Sequence, residues 1–179
     1  MKKQLIAKLA IIALGAAAGA AQADSVTPAP QFQVKIKINK TCKVATAPTD
    51  IVLGGAPGVA SDATNVTGNM TFSVNCSKST PFFIGLAPST ANGGDTAGNG
   101  KMKGTGASPD SVPYTLYSDN GTTVWGNTAT TTDKGNGVTD TGAGMGASAV
   151  KSFTVYAKAP SADYKPDSYS DTVTVNINY

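Results

Sequence analysis

The strongest constraint in this sequence is a strict alternation of apolar and polar residues, which recurs along the chain with a period of two. It is clearest near the two ends, at residues 31–39 and 172–179. A period of two places alternate side chains on one face of an extended strand, so each stretch predicts a strand with one buried face. Similar short stretches lie between them, among them residues 69–76, 112–117 and 152–157. These stretches are separated by turn residues and show no helical periodicity, so together they predict an all-β, antiparallel β-sandwich.

The N-terminal alternating stretch, residues 31–39, presents four apolar side chains to one face: Phe32, Val34, Ile36 and Ile38. If buried, these side chains together contribute roughly 6–12 kcal/mol. Such a strand needs a partner sheet, and two partners are open. A tight turn at residues 39–41 would pair the stretch with the strand that begins near Cys42 in its own domain. Alternatively, the stretch pairs with a neighbouring molecule.

The first 23 residues have the three parts of a secretory signal. Lys2, Lys3 and Lys8 supply the positive charge, residues 9–21 are apolar, and Ala21-Gln22-Ala23 is a cleavage site of the small-x-small type. A membrane anchor is the alternative, but the apolar run is short for a bilayer span. We therefore predict a signal peptide at residues 1–23, an N-terminal leader and strand at residues 24–40, and one domain at residues 41–179.

Charge and composition exclude several classes of function. The whole chain has a formal net charge of +3, and the three signal-peptide lysines account for that excess, so no nucleic-acid partner is predicted. The chain has no His, Arg or Glu, and therefore no histidine base for a nucleophilic triad and no imidazole ligand for zinc. Asp163, Asp167 and Asp171 lie in or beside a turn-rich segment, where Asp usually bonds to backbone. We predict no enzyme, no metal and no cofactor.

The two cysteines, Cys42 and Cys76, lie in a chain that is predicted to be exported, which favours a disulfide. The bridge would close a loop of about 35 residues and stabilise the fold by roughly 3–4 kcal/mol. Two free thiols acting as metal ligands are the alternative, but no other soft ligand lies nearby in the sequence.

Two stretches are rich in Gly, Asn, Ser and Thr, residues 88–110 and 127–149. The first is predicted to be a surface loop with one short strand near Lys101–Lys103, and the second a loop or a weakly paired edge strand. Between the two stretches, the step Asn120-Gly121 predicts a β-hairpin that joins residues 112–117 to residues 122–126. Trp125 in that hairpin is interpreted as a packing residue, with an exposed carbohydrate platform as the alternative.

Four parts of the sequence form a recognisable combination: Thr41-Cys42 after an alternating strand, Ser73-Val74-Asn75-Cys76, the block at 114–119 followed by Val124-Trp125-Gly126, and the ending at 168–175. Together they resemble the spore coat protein U, or secreted pilin, domain family. This family includes the major subunits of archaic, Csu-type chaperone–usher pili.

The resemblance implies an incomplete immunoglobulin-like β-sandwich, which lacks its final strand and is completed by donor-strand exchange. Phe32, Val34, Ile36 and Ile38 would be the donor side chains, and Cys42 and Cys76 the family disulfide. The edge of the acceptor groove, which meets the chaperone before assembly, would be formed by Val173, Val175, Ile177 and Tyr179.

The function implied by the resemblance is that of a structural pilin, the major rod subunit of a surface fimbria that supports adhesion and biofilm formation. The implied partners are a periplasmic pilus chaperone, an outer-membrane usher, neighbouring copies of the chain, and minor or tip subunits. The implied route runs through the periplasm to the cell surface. Two alternatives stay open: a tip or minor adhesin of the same pilus, and a self-complemented secreted coat protein.

Overall fold

The computed structural model describes residues 28–179, and the predicted signal peptide and its cleavage site lie outside these residues. The described residues belong to two units, Met1–Lys37 and Ile38–Tyr179. Within the described part of the second unit there are nine strands and two short 3₁₀ turns. The strands are β1 (Cys42–Thr46), β2 (Thr64–Cys76), β3 (Pro81–Pro88), β4 (Asn99–Gly104), β5 (Ser111–Tyr117), β6 (Val138–Thr141), β7 (Lys151–Ser161), β8 (Tyr169–Ser170) and β9 (Val173–Asn178).

The nine strands form two antiparallel sheets, which confirms the predicted all-β sandwich. The larger one, which we call sheet A, has the strand order β1-β2-β7-β5-β4-β8, and the smaller one, sheet B, has the order β6-β3-β9. The longest ladder joins β2 to β7, from the pair Thr64 and Ser161 to the pair Val74 and Lys151. No helix among residues 28–179 is long and apolar enough to cross a membrane.

The core between the sheets is built around an aromatic cluster. Phe72 of β2, Phe153 of β7, Phe82 of β3 and Trp125 have ring centroids 5.8–6.4 Å apart. Trp125 is buried, and its indole N–H donates to the carbonyl oxygen of Ile84 at 2.8 Å. Trp125 is therefore a packing residue, as predicted, because its ring is inside and its polar atom is satisfied.

Cys42 and Cys76 form a disulfide, as predicted. The two residues are direct partners in the β1–β2 ladder. Cys76 is fully buried because it continues the inward face that Phe72 and Val74 occupy on β2. The same alternation that predicted β2 thus also placed one end of the bridge in the core.

The predicted hairpin around Asn120-Gly121 forms only in part, with Ser118 N–H donating to the Thr123 carbonyl oxygen and Trp125 N–H to the Leu116 carbonyl oxygen, each at 2.9 Å. Residues 122–126 form no strand, and Tyr117 and Val124 make a single isolated bridge. The reason is Asp119, whose carboxylate accepts hydrogen bonds from the backbone N–H groups of Thr122 and Thr123 and from the Thr123 hydroxyl, at 2.7–2.8 Å. These bonds favour a wide turn over a two-residue one.

One other expectation needs adjustment. Residues 31–39, predicted as a strand, have no regular secondary structure, and neither has any other residue between 28 and 41. The short strand predicted near Lys101–Lys103 is confirmed as β4. Residues 127–149 contain β6, an edge strand of sheet B, which agrees with the weakly paired edge expected as the alternative to a loop.

Candidate binding groove

The two sheets differ in width, and this difference opens a groove. Neighbouring strands lie about 4.8 Å apart, so the six strands of sheet A span about twice the width of the three strands of sheet B. Part of the inner face of sheet A is therefore left uncovered. A cavity of about 940 Å³ lies over this part, entirely within the second unit.

The floor of the groove contains a row of small side chains along β7. Ala157, Ala159 and Ser161 line the cavity. The neighbouring strands supply larger residues on either side: Val66 pairs with Ala159 on β2, and Leu116 pairs with Ala157 on β5. The small side chains of β7 leave a shallow channel between the larger ones, which we call the lane. Side chains of an added strand would fit into it.

The free edge of β9 borders the groove. Val173 and Val175 line the cavity, and β9 is the last strand of sheet B. The backbone N–H of Leu86, which is paired with Val175, donates to Gly126 at 2.8 Å and so is not directed at β9. In an antiparallel ladder, such pairs exchange no hydrogen bonds and alternate with pairs that do. The N–H and C=O groups of Val173, Val175 and Ile177 therefore point to the free edge.

A loop between β1 and β2 supplies further lining. Residues 48–53 and 57–59 of this loop face the cavity, and its apolar run Ile51-Val52-Leu53 crosses β2 near Gly68. A Cβ at Gly68 would meet Ile51 Cγ2 and the Val52 carbonyl oxygen, both at 2.8 Å. Only glycine at this position lets the loop lie so close to the sheet. The loop is fixed there by a hydrogen bond from Gly54 N–H to the carbonyl oxygen of Thr67 at 2.9 Å.

The polar side chains around the groove form hydrogen bonds within the fold. The Tyr114 hydroxyl donates to Asp171 at 2.6 Å, and the Asn92 amide donates to the other carboxylate oxygen at 2.7 Å. Burial raises the pKa of Tyr114 above its ordinary value, and the hydrogen bond to Asp171 raises it further. Hydrogen bonds from the backbone N–H groups of Ser108 and then Ser168 lower the pKa of Asp167.

The hydrogen bonds of Asp167 agree with the predicted turn role, because this carboxylate accepts from backbone N–H groups. Asp171 differs from that prediction, because it accepts from the side chains of Tyr114 and Asn92 instead. In the described part of the chain, no three metal-ligating side chains of the His, Cys, Asp or Glu type lie together. What the groove offers chemically is therefore an apolar floor beside free backbone donors and acceptors.

The residues predicted to form the groove edge are not all in one place. Val173 and Val175 line the cavity. Ile177 is paired with Ile84 and packs against the core, outside the residues that line the cavity. Tyr179 follows the last residue of β9, and 42% of its surface is exposed. Their roles in binding stay predictions.

The four residues predicted to form the donor strand are all exposed. The side chains of Phe32, Val34, Ile36 and Ile38 are 82–90% exposed. Four large apolar side chains in a row are rarely left in water without a partner. The structure does not test their role, which remains a prediction.

Sequence reasoning missed the floor of the groove. Ala157 and Ala159 lie at inward positions of β7, two and four residues after the buried Val155. The signal was present as a run of small residues on the inward register of a predicted strand. The predicted strand stopped at residue 157, because Pro160 hid its continuation to Ser161.

Comparison with known proteins identifies a family that matches this chain and a solved structure with a similar fold. The family described as "Spore Coat Protein U domain" matches residues 29–176. A chain in the crystal structure of the CsuC–CsuE chaperone–tip adhesion subunit pre-assembly complex, from archaic chaperone–usher Csu pili of Acinetobacter baumannii, has a similar fold, with a TM-score of 0.51 and 15% identity. The match covers 79% of the present chain and 40% of that chain, less than two thirds of its length. No curated protein matches.

Proposed function

The chain belongs to the spore coat protein U domain family, and we propose that it is a structural subunit of a chaperone–usher pilus, assembled by donor-strand exchange. The observation that carries this proposal is the groove beside the free edge of β9, in a chain that also has an exposed alternating segment. Residues 31–39 of one copy would occupy the groove of the next. This is β-strand addition, in which backbone hydrogen bonds give affinity and alternate side chains give register.

The geometry of β9 supports this type of binding. The residues whose backbone groups face the free edge, Val173, Val175 and Ile177, are the same residues whose side chains face inward. An added strand would therefore extend sheet B and cover the floor of sheet A at the same time. Its apolar side chains would be directed at the lane along β7, where Ala157 and Ala159 leave space.

The presence of both the donor segment and the groove on one chain supports assembly into a fibre. The donor segment and the groove are different surfaces, so a contact between copies is heterologous and does not close into a dimer. Each copy would fill the groove of one neighbour and have its own groove filled by another. The fine assignment that we propose is the major rod subunit of a fimbria that supports adhesion and biofilm formation.

The same groove supports the proposed partners. Before assembly, an uncovered apolar groove and a free strand edge promote aggregation. A periplasmic chaperone that lends a strand would cover both, and an outer-membrane usher would exchange that strand for residues 31–39 of the next subunit. The predicted signal at residues 1–23 agrees with passage through the periplasm to the cell surface.

A tip or minor adhesin of the same pilus is the second candidate. The solved structure with a similar fold is described as a complex of a chaperone with a tip adhesion subunit. A tip subunit needs no donor segment, however, and here four apolar side chains are placed at donor spacing. A self-complemented coat protein would need residues 31–39 to pair within the chain, and in the described part of the chain they form no strand.

The decisive experiment moves the donor segment. A variant with residues 31–39 appended after Tyr179 by a flexible linker, and deleted from the N-terminus, is expected to be a monomer with a higher Tm than the chain without residues 25–39. In the appended segment, Ile36→Asp should abolish the gain, because a charge would be buried without a partner.

Lys37→Asp in the appended segment is the matched control, because it introduces the same side chain one residue away on the opposite face. It should retain the gain in Tm. Equal effects of Ile36→Asp and Lys37→Asp would contradict the proposed donor face. In the full-length chain, Ile36→Asp should prevent the formation of fibres that resist denaturant, and normal fibres from that variant would exclude the donor role.

A further inference from the structure

Thr41, the residue before β1, is held by three hydrogen bonds to Ser77, which we call the clasp. The Thr41 N–H donates to the Ser77 hydroxyl oxygen at 3.0 Å, and this hydroxyl donates back to the Thr41 carbonyl oxygen at 3.2 Å. The Ser77 N–H donates to the same carbonyl oxygen at 2.9 Å. The Cys42–Cys76 disulfide follows directly. Three hydrogen bonds and a covalent bond thus join Thr41 and Cys42, at the entry to β1, to Ser77 and Cys76, at the exit from β2.

The place of this clasp in the chain is informative. Only Asn39 and Lys40 separate it from Ile38, the last apolar residue of the proposed donor segment. β1 itself is a weak anchor, because it is a five-residue edge strand with a break in its register between Val44 and Thr46. A pull on an edge strand alone would break its ladder pair by pair. The clasp lies before the first of those pairs, and the disulfide joins the two residues of that first pair, Cys42 and Cys76.

From Cys76 the chain leads directly to the groove. A short turn, residues 77–80, connects β2 to β3, and β3 is the middle strand of sheet B. The turn is braced by Gly142, whose carbonyl oxygen accepts from Ser79 N–H and whose N–H donates to Thr80, each at 2.8 Å. β3 is then joined to β9 over six register pairs. β9 carries the free edge of the groove.

We propose that the Cys42–Cys76 disulfide and the Thr41–Ser77 clasp carry the tensile load of the fibre from the donor segment of each subunit into sheet B. The load then leaves through β9 to the strand that the next subunit inserts. β1, the loop that lines the groove and β2 lie inside the covalent loop and are shielded from the load. This inference rests on the proposed function, because it requires that the chain be pulled through residues 31–39.

The test is single-fibre force spectroscopy on fibres sheared from cells that produce the protein. Replacing both cysteines, with Cys42→Ala and Cys76→Ala, should lengthen each unfolding step. The disulfide spans a sequence separation of 34 residues, so the expected increase is about 110–120 Å per subunit at full extension. An unchanged step length in these fibres would overturn the proposal.

A second variant retains the disulfide and tests the clasp. Ser77→Ala removes the two side-chain hydrogen bonds to Thr41 and should lower the force at which the subunit unfolds at a given loading rate, because forced unfolding follows the unfolding rate. Thr154→Ala is the control, since it removes a cross-strand hydroxyl bond to Thr71 of 3.0 Å on sheet A, away from the proposed path. Equal loss of force in both variants would overturn the role of the clasp.

The outcomes separate this inference from the proposed function. If the unmodified chain forms no fibres, the proposed function fails. If fibres form but the cysteine variants extend by the same length as the unmodified chain, only the load path fails. If the cysteine variants do not fold, reduction of preassembled fibres with a phosphine and the Ser77→Ala comparison give the same decision.

Discussion

The Tyr114 hydroxyl donates a 2.6 Å hydrogen bond to the Asp171 carboxylate. Tyr114 lies on the floor of the groove in β5, and Asp171 lies in the two-residue connection between β8 of sheet A and β9 of sheet B. The bond therefore ties the floor to the point where the chain crosses from one sheet to the other. Asn92, which follows β3, donates to the same carboxylate. Together these three side chains hold the start of β9 in position over sheet A.

Tyr114→Phe should destabilise the subunit by about 1.5–3 kcal/mol, because it removes a hydrogen bond to a charged group while Asp171 keeps its place. Denaturant unfolding of the variant with the appended donor segment measures this loss. Tyr156→Phe on the outer face of the same sheet is the control and should change the free energy of unfolding by less than about 0.5 kcal/mol. Equal values for the two variants would contradict the role of the Tyr114 hydroxyl.

The same bond predicts a dependence on alkaline pH. The pKa of Tyr114 is raised in the folded state above its ordinary value of 10.0, mainly by burial. The unfolded chain therefore loses this proton first as pH rises. The stabilisation by the neutral hydroxyl is complete below the ordinary pKa and is lost progressively above it. The difference in unfolding free energy between the unmodified chain and Tyr114→Phe should narrow above about pH 10, and a constant difference would exclude this linkage.

Val175→Pro should cost more free energy in the binding of a donor strand than in the folding of the subunit. The Val175 N–H points to the free edge, so proline removes a donor that only the incoming strand would use. Val175→Ala controls for the lost side chain. Thr174→Pro should instead destabilise the subunit, because the Thr174 N–H points to β3. Binding of a labelled peptide of residues 28–40 measures capture, and equal affinity for Val175→Pro and Val175→Ala would contradict the assigned direction.

Replacement of Cys42 and Cys76 by Ser should lower the free energy of unfolding by roughly 3–4 kcal/mol, because the unfolded chain regains the entropy of a closed loop. Denaturant unfolding and the yield of folded subunit measure the effect. The matched control is the unmodified chain after reduction, which should show a similar midpoint. An unchanged yield and Tm would mean that the bridge adds nothing to stability.

Asp167 predicts a loss of stability in acid. Hydrogen bonds from backbone N–H groups, that of Ser108 first, lower the pKa of this carboxyl below its ordinary value of 3.8. The stabilisation is present above the ordinary pKa and is lost as pH falls through the lower value of the folded state. The difference in Tm between the unmodified chain and Asp167→Asn should therefore shrink as pH falls below about 4. A difference that grows in acid would contradict this assignment.

Sequence reasoning predicted most of the strands, and the reason is local. Alternation in β2, β5, β7 and β9 reports which side chains share a face, and this depends only on the geometry of one extended segment. The pairing of Cys42 with Cys76 also followed, because both the compartment and the inward register of Cys76 favoured it. The turn after Tyr117 is wider than predicted, because the carboxylate of Asp119 outcompeted the preference of Asn120-Gly121 for a tight hairpin.

By itself, the sequence determined that this chain is all-β, that histidine-based chemistry is excluded, and that residues 31–39 form an alternating apolar segment. Only the tertiary structure decided that β9 is an edge strand, that its inward residues also direct their backbone groups outward to the free edge, and that small residues of β7 leave a lane beneath it. Strand order arises from pairing between segments far apart in the chain, such as β3 with β9 and β2 with β7. Periodicity within one segment carries no information about that order.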